Sequence, residues 1–120
     1  METGTIPGMV TVEPEVLETI ARFTTLNVPG IVRIAEKDVD RLLGLPGKSV
    51  IVQVNADKVT VDLHVIAGPD MSLLRLGRAV QHEVTRAIQN MIGMPVGAVN
   101  VHIEDVVYPQ AEDQPATLDG

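Results

Sequence analysis

The chain has 120 residues, which corresponds to one domain, and 45% of them are apolar, which is enough for one hydrophobic core. It has no cysteine, which excludes disulfides and thiolate chemistry, and its formal net charge of −7 argues against general binding to nucleic-acid phosphates. No apolar run approaches the ~18 residues of a membrane-spanning helix, and the first eight residues lack the basic and apolar regions of a signal peptide, so we expect a cytosolic protein.

The first quarter of the sequence predicts a loose end followed by a helix. Residues 1–9 are expected to be flexible, and the Val-Thr-Val sequence at 10–12 is typical of a short edge strand. A helix is predicted over 14–27, because Pro14 suits the first helical position and the neighbouring glutamates suit the first turn. Its inward-facing stripe consists of Leu17, Ile20, Ala21 and Thr24.

The next part of the chain predicts three strands and a loop. We expect a strand over 31–37, followed by a loop over 38–47 that contains a helical turn at 39–43. Alternating apolar and polar residues predict strands over 48–55 and 59–67. A short Asn-Ala-Asp-Lys link joins these two strands, so they are expected to form an antiparallel hairpin.

A long helix predicted over 70–92 and a strand predicted over 98–107 dominate the second half. The helix has apolar residues at spacings of three and four, Asp70 at its start to cap free N–H groups, and Gly93 at its end. Gly77 lies within the apolar stripe and is expected to let the helix approach the sheet closely. The stripe consists of Leu73, Val80, Val84, Ala87, Ile88 and Met91.

Together these elements predict an α+β fold, a two-layer sandwich with two helices packed on one face of a small mixed β-sheet. The strands before and after the long helix are expected to be parallel. One domain is expected to span 10–108, and residues 109–120, which are acidic and poor in apolar side chains, are expected to be a disordered tail. On this fold Val84 and Val101 should be buried and Arg78 exposed.

Short motifs follow one another along the chain in an order that resembles a known family. In the first half they are the Val-Thr-Val of 10–12 and Val28-Pro29-Gly30-Ile31-Val32. In the second half they are Gly68, Gln81, Val84, Met91-Ile92-Gly93, Val99-Asn100-Val101-His102-Ile103 and Asp105-Val106. Over residues 10–108 this set resembles the alkaline shock protein (Gls-type) family of bacterial envelope-stress proteins.

The resemblance implies a non-enzymatic cytosolic protein without cofactors. Members act at the inner face of the membrane, are often tethered there by small membrane-protein partners, and affect cell-envelope homeostasis. The family offers no catalytic residues to carry over. The resemblance therefore implies a scaffold or interaction protein that binds a membrane-anchored or acidic protein partner and has no membrane span of its own.

The sequence lacks recognisable catalytic motifs. It has no nucleophile elbow and no phosphate-binding loop, and neither of its two serines is in a recognisable setting. Two predicted strands place four polar residues on the outer face of the sheet: Asp62, His64, His102 and Glu104. Imidazoles and carboxylates are ligands of zinc and proton-transfer groups. The favoured interpretation is the solvated side of a one-sided sheet, so we expect no catalytic or metal site.

An alternative function follows from Gly44-Leu45-Pro46-Gly47, which matches the Gly-x-x-Gly loop of KH nucleic-acid modules. In those modules the loop joins two helices and has small or basic middle residues. Here leucine and proline stand in the middle and a strand is predicted to follow. A small KH-like nucleic-acid-binding module is therefore the alternative, and the acidic net charge disfavours it.

One face of the long helix is basic on an otherwise acidic protein. It contains three of the nine Lys/Arg residues, and its members are Arg75, Arg78, His82 and Arg86. We call this face the basic stripe. It is either an ordinary solvated face or a docking face for an acidic partner segment or anionic lipid heads.

A sheet that is covered by helices on one face only is expected to associate with another copy. Its outer face is expected to be apolar at Ile51, Ile66 and Val106, and its edge strands have unpaired backbone groups. We therefore expect self-association through the outer face or through an edge, which leaves the basic stripe free for a partner.

Overall fold

The computed structural model describes residues 6–35 and 49–108, together with the backbone of 39–40 and 45–46. Within these ranges the elements are α1 (Pro14–Leu26), β1 (Ile31–Ile34), β2 (Val39–Asp40), β3 (Leu45–Pro46), β4 (Val50–Asn55), β5 (Lys58–Ala67), α2 (Leu73–Ile92) and β6 (Val96–Val106). The predicted tail at 109–120 lies outside the described residues.

Strand β5 is the centre of a four-stranded mixed sheet. Strand β6 pairs with it in parallel, and β4 and β1 pair with it antiparallel. Because β6 follows β5 over nearly its whole length, β4 and β1 must share the other side of β5, one after the other. The α+β sandwich with a mixed sheet, the hairpin and the parallel pairing are therefore confirmed.

The core lies between this sheet and the two helices. Alternate residues of β5 are fully buried against both helices, as the period-2 pattern predicts. Helix α1 packs over β4 and β1, α2 packs over β6, and the helices also contact each other. The buried core residues of these elements are Leu17, Ile20, Ala21, Val59, Val61, Leu63, Val65, Ala67, Leu76, Val80, Val84 and Ile88.

Helix α2 begins and ends at defined caps. Its N-cap is Ser72, whose side-chain oxygen accepts a hydrogen bond of 3.3 Å from the backbone N–H of Arg75. The prediction that Asp70 is the cap is wrong, because the helix begins at Leu73 and Asp70 lies in the bend before it. Gly93 ends the helix in the left-handed conformation with φ 85°, as predicted from the glycine.

The buried side of α2 is shifted from the predicted stripe. Val80, Val84 and Ile88 are buried as predicted, and Leu76, which the prediction omitted, is also fully buried. Leu73 and Met91 are exposed instead, because they lie at the two ends of the helix, beyond its buried centre.

The close approach predicted at Gly77 occurs at a different glycine. A Cβ added at Gly77 would meet no atom within 4 Å, so the prediction for this residue is wrong. At Gly30, where φ is +102°, an added Cβ would lie 2.7 Å from Met71 Sδ and 3.1 Å from Leu76 Cδ1. The turn before β1, rather than the middle of α2, is the tightly packed position.

Three further local predictions are corrected. Residues 10–12 form no strand, because none of the described strands pairs with them. The strand predicted over 31–37 ends at Ile34, and residues 36–38 lie outside the described residues. In place of a helical turn at 39–43, β2 pairs antiparallel with β3, while residues 41–44 are not described.

Candidate functional site

The basic stripe lies on the side of α2 opposite the core. Val84 is buried and all four stripe residues are exposed, which confirms the predicted exposure of Arg78. Arg78 Nη1 donates to Gln81 Oε1 at 3.0 Å, and Gln81 Nε2 donates to the backbone carbonyl of Val99 at 3.0 Å. Two hydrogen bonds therefore connect the stripe to β6.

The chemistry of the stripe suits an acidic ligand. Arginine guanidinium groups bind carboxylates and phosphates through two parallel hydrogen bonds. Arg75, His82 and Arg86 are spaced by seven and four residues, so they lie above one another on the exposed face of one rigid helix. That rigidity fixes the spacing between the cations. A partner role for the stripe stays a prediction.

The polar cluster predicted on the outer face of the sheet exists as a set of paired side chains. His64 and His102 are opposite each other on β5 and β6, and their rings stack with centroids 4.5 Å apart at an angle of 11°. His64 Nδ1 lies 2.5 Å from Glu104 Oε2. Asp62 Oδ1 accepts a hydrogen bond from Asn100 Nδ2 at 3.1 Å and lies 3.7 Å from His102 Nε2.

We call Asp62, His64, Asn100, His102 and Glu104 the histidine cluster. Stacked imidazoles turn their ring faces, rather than their nitrogen lone pairs, toward each other. No group of three or more His, Asp or Glu side chains among the described residues is placed to hold a metal ion. The arrangement is that of a hydrogen-bonded polar face on a one-sided sheet.

The outer face is less apolar than predicted. Between Val65 and Ile66 the register of β5 with β6 shifts at a bulge, so Val106 is opposite the core residue Ala67 and not on the outer face. Ile66 is only 7% exposed, and Ile51 is half-buried. An outer-face interface built on these three residues therefore has little exposed apolar surface.

A groove that sequence reasoning missed lies between α2 and β6. It encloses about 210 Å³ and is lined by Leu73, Leu74, Gly77, Arg78, Gln81, Val101 and Ile103; we call it the edge groove. Val101 was predicted to be buried, but it is only half-buried, because β6 is an edge strand of the described sheet. The sequence signal that could have indicated this groove was the pair of leucines at the start of α2. One of them, Leu74, is 71% exposed.

A second cavity of about 400 Å³ lies between the end of α1 and α2. It is lined by Thr24, Asn27, Val28, Pro29, Ala79 and Glu83. Of the described side chains that line it, Glu83 alone is charged. Neither this cavity nor the edge groove is lined by a residue of the histidine cluster.

The Gly-x-x-Gly sequence does not sit in the setting of a KH loop. Its middle residues, Leu45 and Pro46, form strand β3, which pairs with β2, whereas the KH loop joins two helices. Gly44 and Gly47 lie outside the described residues. No helix in the described ranges is long and apolar enough to cross a membrane.

Comparison with known families gives one match that covers most of the chain. Residues 2–108 match the alkaline shock protein 23 family, described as having a cell envelope-related function. The chain is 29% identical over 103 residues to the uncharacterised protein Spy1535 of Streptococcus pyogenes, which covers 83% of this chain and 80% of the relative. It is 26% identical over 106 residues to the uncharacterised protein YqhY of Bacillus subtilis, covering 84% and 78%.

Solved structures with the same fold come from a protein of very different sequence. The alignment with a structure of MamM-CTD covers 78% of this chain and 99% of the MamM-CTD chain, with a TM-score of 0.50 and 12% identity. A histidine-to-alanine variant of MamM-CTD gives the same TM-score and identity, covering 78% and 98%. At this identity the similarity concerns the fold alone.

Proposed function

The chain belongs to the alkaline shock protein 23 family, which has a cell envelope-related function, and on that premise we propose that it is a non-enzymatic scaffold. In this proposal it acts in the cytoplasm at the inner face of the membrane, through an acidic or membrane-anchored protein partner. The observation that carries the proposal is the basic stripe, a row of exposed cations on a protein of net charge −7.

Electrostatics favours this stripe as the docking face. The acidic remainder of the surface repels an acidic partner, so the stripe is the place where such a partner is attracted. Because the cations are exposed, the attraction is screened by salt, with a Debye length of about 8 Å at physiological ionic strength. We therefore expect partner binding to weaken as salt concentration rises.

The proposal that the chain is not an enzyme is supported by the chemistry of the described surfaces. In the histidine cluster, His64 bonds Glu104 and Asn100 bonds Asp62, and the two cavities described above are lined mainly by apolar and neutral polar side chains. The matched family is described by a relation to the cell envelope and not by a catalysed reaction. We also propose that the chain self-associates, because helices cover one face of the sheet only and its edge strands have unpaired backbone groups.

The partner role is tested with a double charge reversal, Arg75→Glu with Arg86→Glu. Arg78 stays unchanged in this variant because it also lines the edge groove. The matched control is Arg22→Glu with Arg33→Glu, two exposed arginines outside the stripe whose reversal changes the net charge equally. The readouts are recovery of the partner from lysate at two salt concentrations, and co-sedimentation with native membranes.

We expect the stripe variant to lose at least tenfold in partner recovery and in membrane co-sedimentation, while the control keeps both. Equal recovery for the stripe variant and the unchanged protein would refute the role of the stripe. Equal loss in both variants would also refute it, because the effect would then depend on net charge alone.

A further inference from the structure

Residues 9–12 in the segment before α1 (Met-Val-Thr-Val) have the composition of a strand, but no described strand pairs with them. Ile6, Met9 and Val10 are 84%, 87% and 94% exposed, and Val12 is also exposed. Residues 6–12 lie outside every helix and strand, and within the described chain they take part in no backbone hydrogen bond. We call them the N-terminal arm. β-Branched residues with free backbone groups favour pairing with a sheet edge.

Strand β6 offers such an edge. Nine of its eleven residues are paired with β5 on one side, and no other described strand pairs with it. Gln81 donates to the carbonyl of Val99, so this carbonyl faces away from β5. Since backbone direction alternates along a strand, the carbonyls of Val101 and Ile103 face the same way. The edge groove runs directly beside these residues.

We propose that the N-terminal arm of one copy adds as a strand to the free edge of β6 in a second copy, with its apolar side chains in the edge groove. Addition of a strand satisfies backbone groups on both sides and places alternate side chains in the groove. This inference rests on the self-association included in the proposed function, and it names the surfaces that carry it.

The arm belongs to a second copy because of where it enters the domain. It leads into α1, which packs over β4 and β1, whereas the edge groove is formed by α2 and β6 on the opposite side of β5. In one copy, the arm therefore enters near one edge of the sheet, and the edge groove lies at the other edge. A contact between different surfaces is head-to-tail and builds rings or open chains.

Charge and surface chemistry favour this occupant. Among the described residues, Arg78 is the only charged one that lines the groove, and the arm is followed directly by the exposed acid Glu13. Arg78 and Glu13 have charges of opposite sign. The rival interface, the outer face of the sheet, is weak because Ile66 is buried and Val106 faces the core.

The first experiment measures self-association by light scattering after gel filtration, at concentrations up to about 100 µM. Val10→Asp places a charge in the arm, and Gly77→Leu fills the groove from a helical position where an added Cβ meets nothing. We expect each variant to raise the apparent Kd at least tenfold with unchanged circular dichroism. The control is Phe23→Asp, which changes an apolar residue 60% exposed on α1 and should leave association unchanged.

The second experiment exchanges the charges. Glu13→Arg and Arg78→Glu should each weaken association, and the double variant should recover it, because each arm then meets a groove of opposite sign. A monomeric unchanged protein at 100 µM overturns the proposal, as does association that is lost in Phe23→Asp or kept in Val10→Asp. Partner recovery with the Arg75→Glu, Arg86→Glu variant reports separately on the proposed function, so the two failures are distinguishable.

Discussion

The same substitution, glycine to alanine, should have opposite effects on stability at Gly77 and at Gly30. Gly77 lies inside α2, where alanine is favoured over glycine by roughly 0.5–1 kcal/mol. Its added Cβ would meet no atom within 4 Å, so no clash reduces this gain. Gly77→Ala should therefore raise the free energy of unfolding by about 0.5–1 kcal/mol.

The substitution Gly30→Ala should destabilise the fold for two reasons. The φ of +102° at this position strains any residue with a Cβ, at roughly 1–2 kcal/mol. The added Cβ would also lie 2.7 Å from Met71 Sδ and 3.1 Å from Leu76 Cδ1. Met71 is partly exposed and can move, but Leu76 is fully buried, so overpacking adds about 1–3 kcal/mol. Gly30→Ala should lower the free energy of unfolding by about 2–5 kcal/mol.

Urea unfolding followed by circular dichroism, at protein concentrations low enough to keep the chain monomeric, measures both changes. With a urea slope of about 1–3 kcal/mol per M, the midpoint should rise by a few tenths of a molar unit for Gly77→Ala and fall by about 1 M or more for Gly30→Ala. A destabilised Gly77→Ala would mean that α2 approaches another surface there after all. An unchanged Gly30→Ala would refute the close packing of the turn.

Three further predictions concern the core, the helix cap and the histidine cluster. Val84→Asp should destabilise the fold by about 3–5 kcal/mol in urea unfolding, because it leaves an unpaired charge in the core; a change under 1 kcal/mol would contradict the burial of this residue. Ser72→Ala should lower stability by about 1 kcal/mol through loss of the N-cap, whereas Asp70→Ala should change it by less than about 0.5 kcal/mol; the reverse order would restore Asp70 as the cap. Calorimetric titration should detect no micromolar zinc binding, and binding that disappears in a His64→Ala, His102→Ala double variant would refute the assignment of the cluster as a polar face.

The sequence alone determined the layout of the fold, because the relevant signals are local. Apolar spacing of three and four residues identified both helices, and strict alternation identified β4, β5 and β6 with errors of at most two residues at their ends. The short Asn-Ala-Asp-Lys link predicted the hairpin, and an intervening helix required β5 and β6 to be parallel. The ordered motifs also identified the family correctly. The position of the basic stripe on the exposed side of α2 followed from the same periodicity.

The tertiary structure decided the features that depend on contacts between distant parts of the chain. The bulge in β6 turns Val106 to the core side, and no local pattern predicts where a strand gains an extra residue against its partner. The close approach falls at Gly30 because Met71 and Leu76 pack there. The residues at 10–12 have strand composition, but a strand forms only when another strand supplies its hydrogen bonds, and no described part of the chain does so.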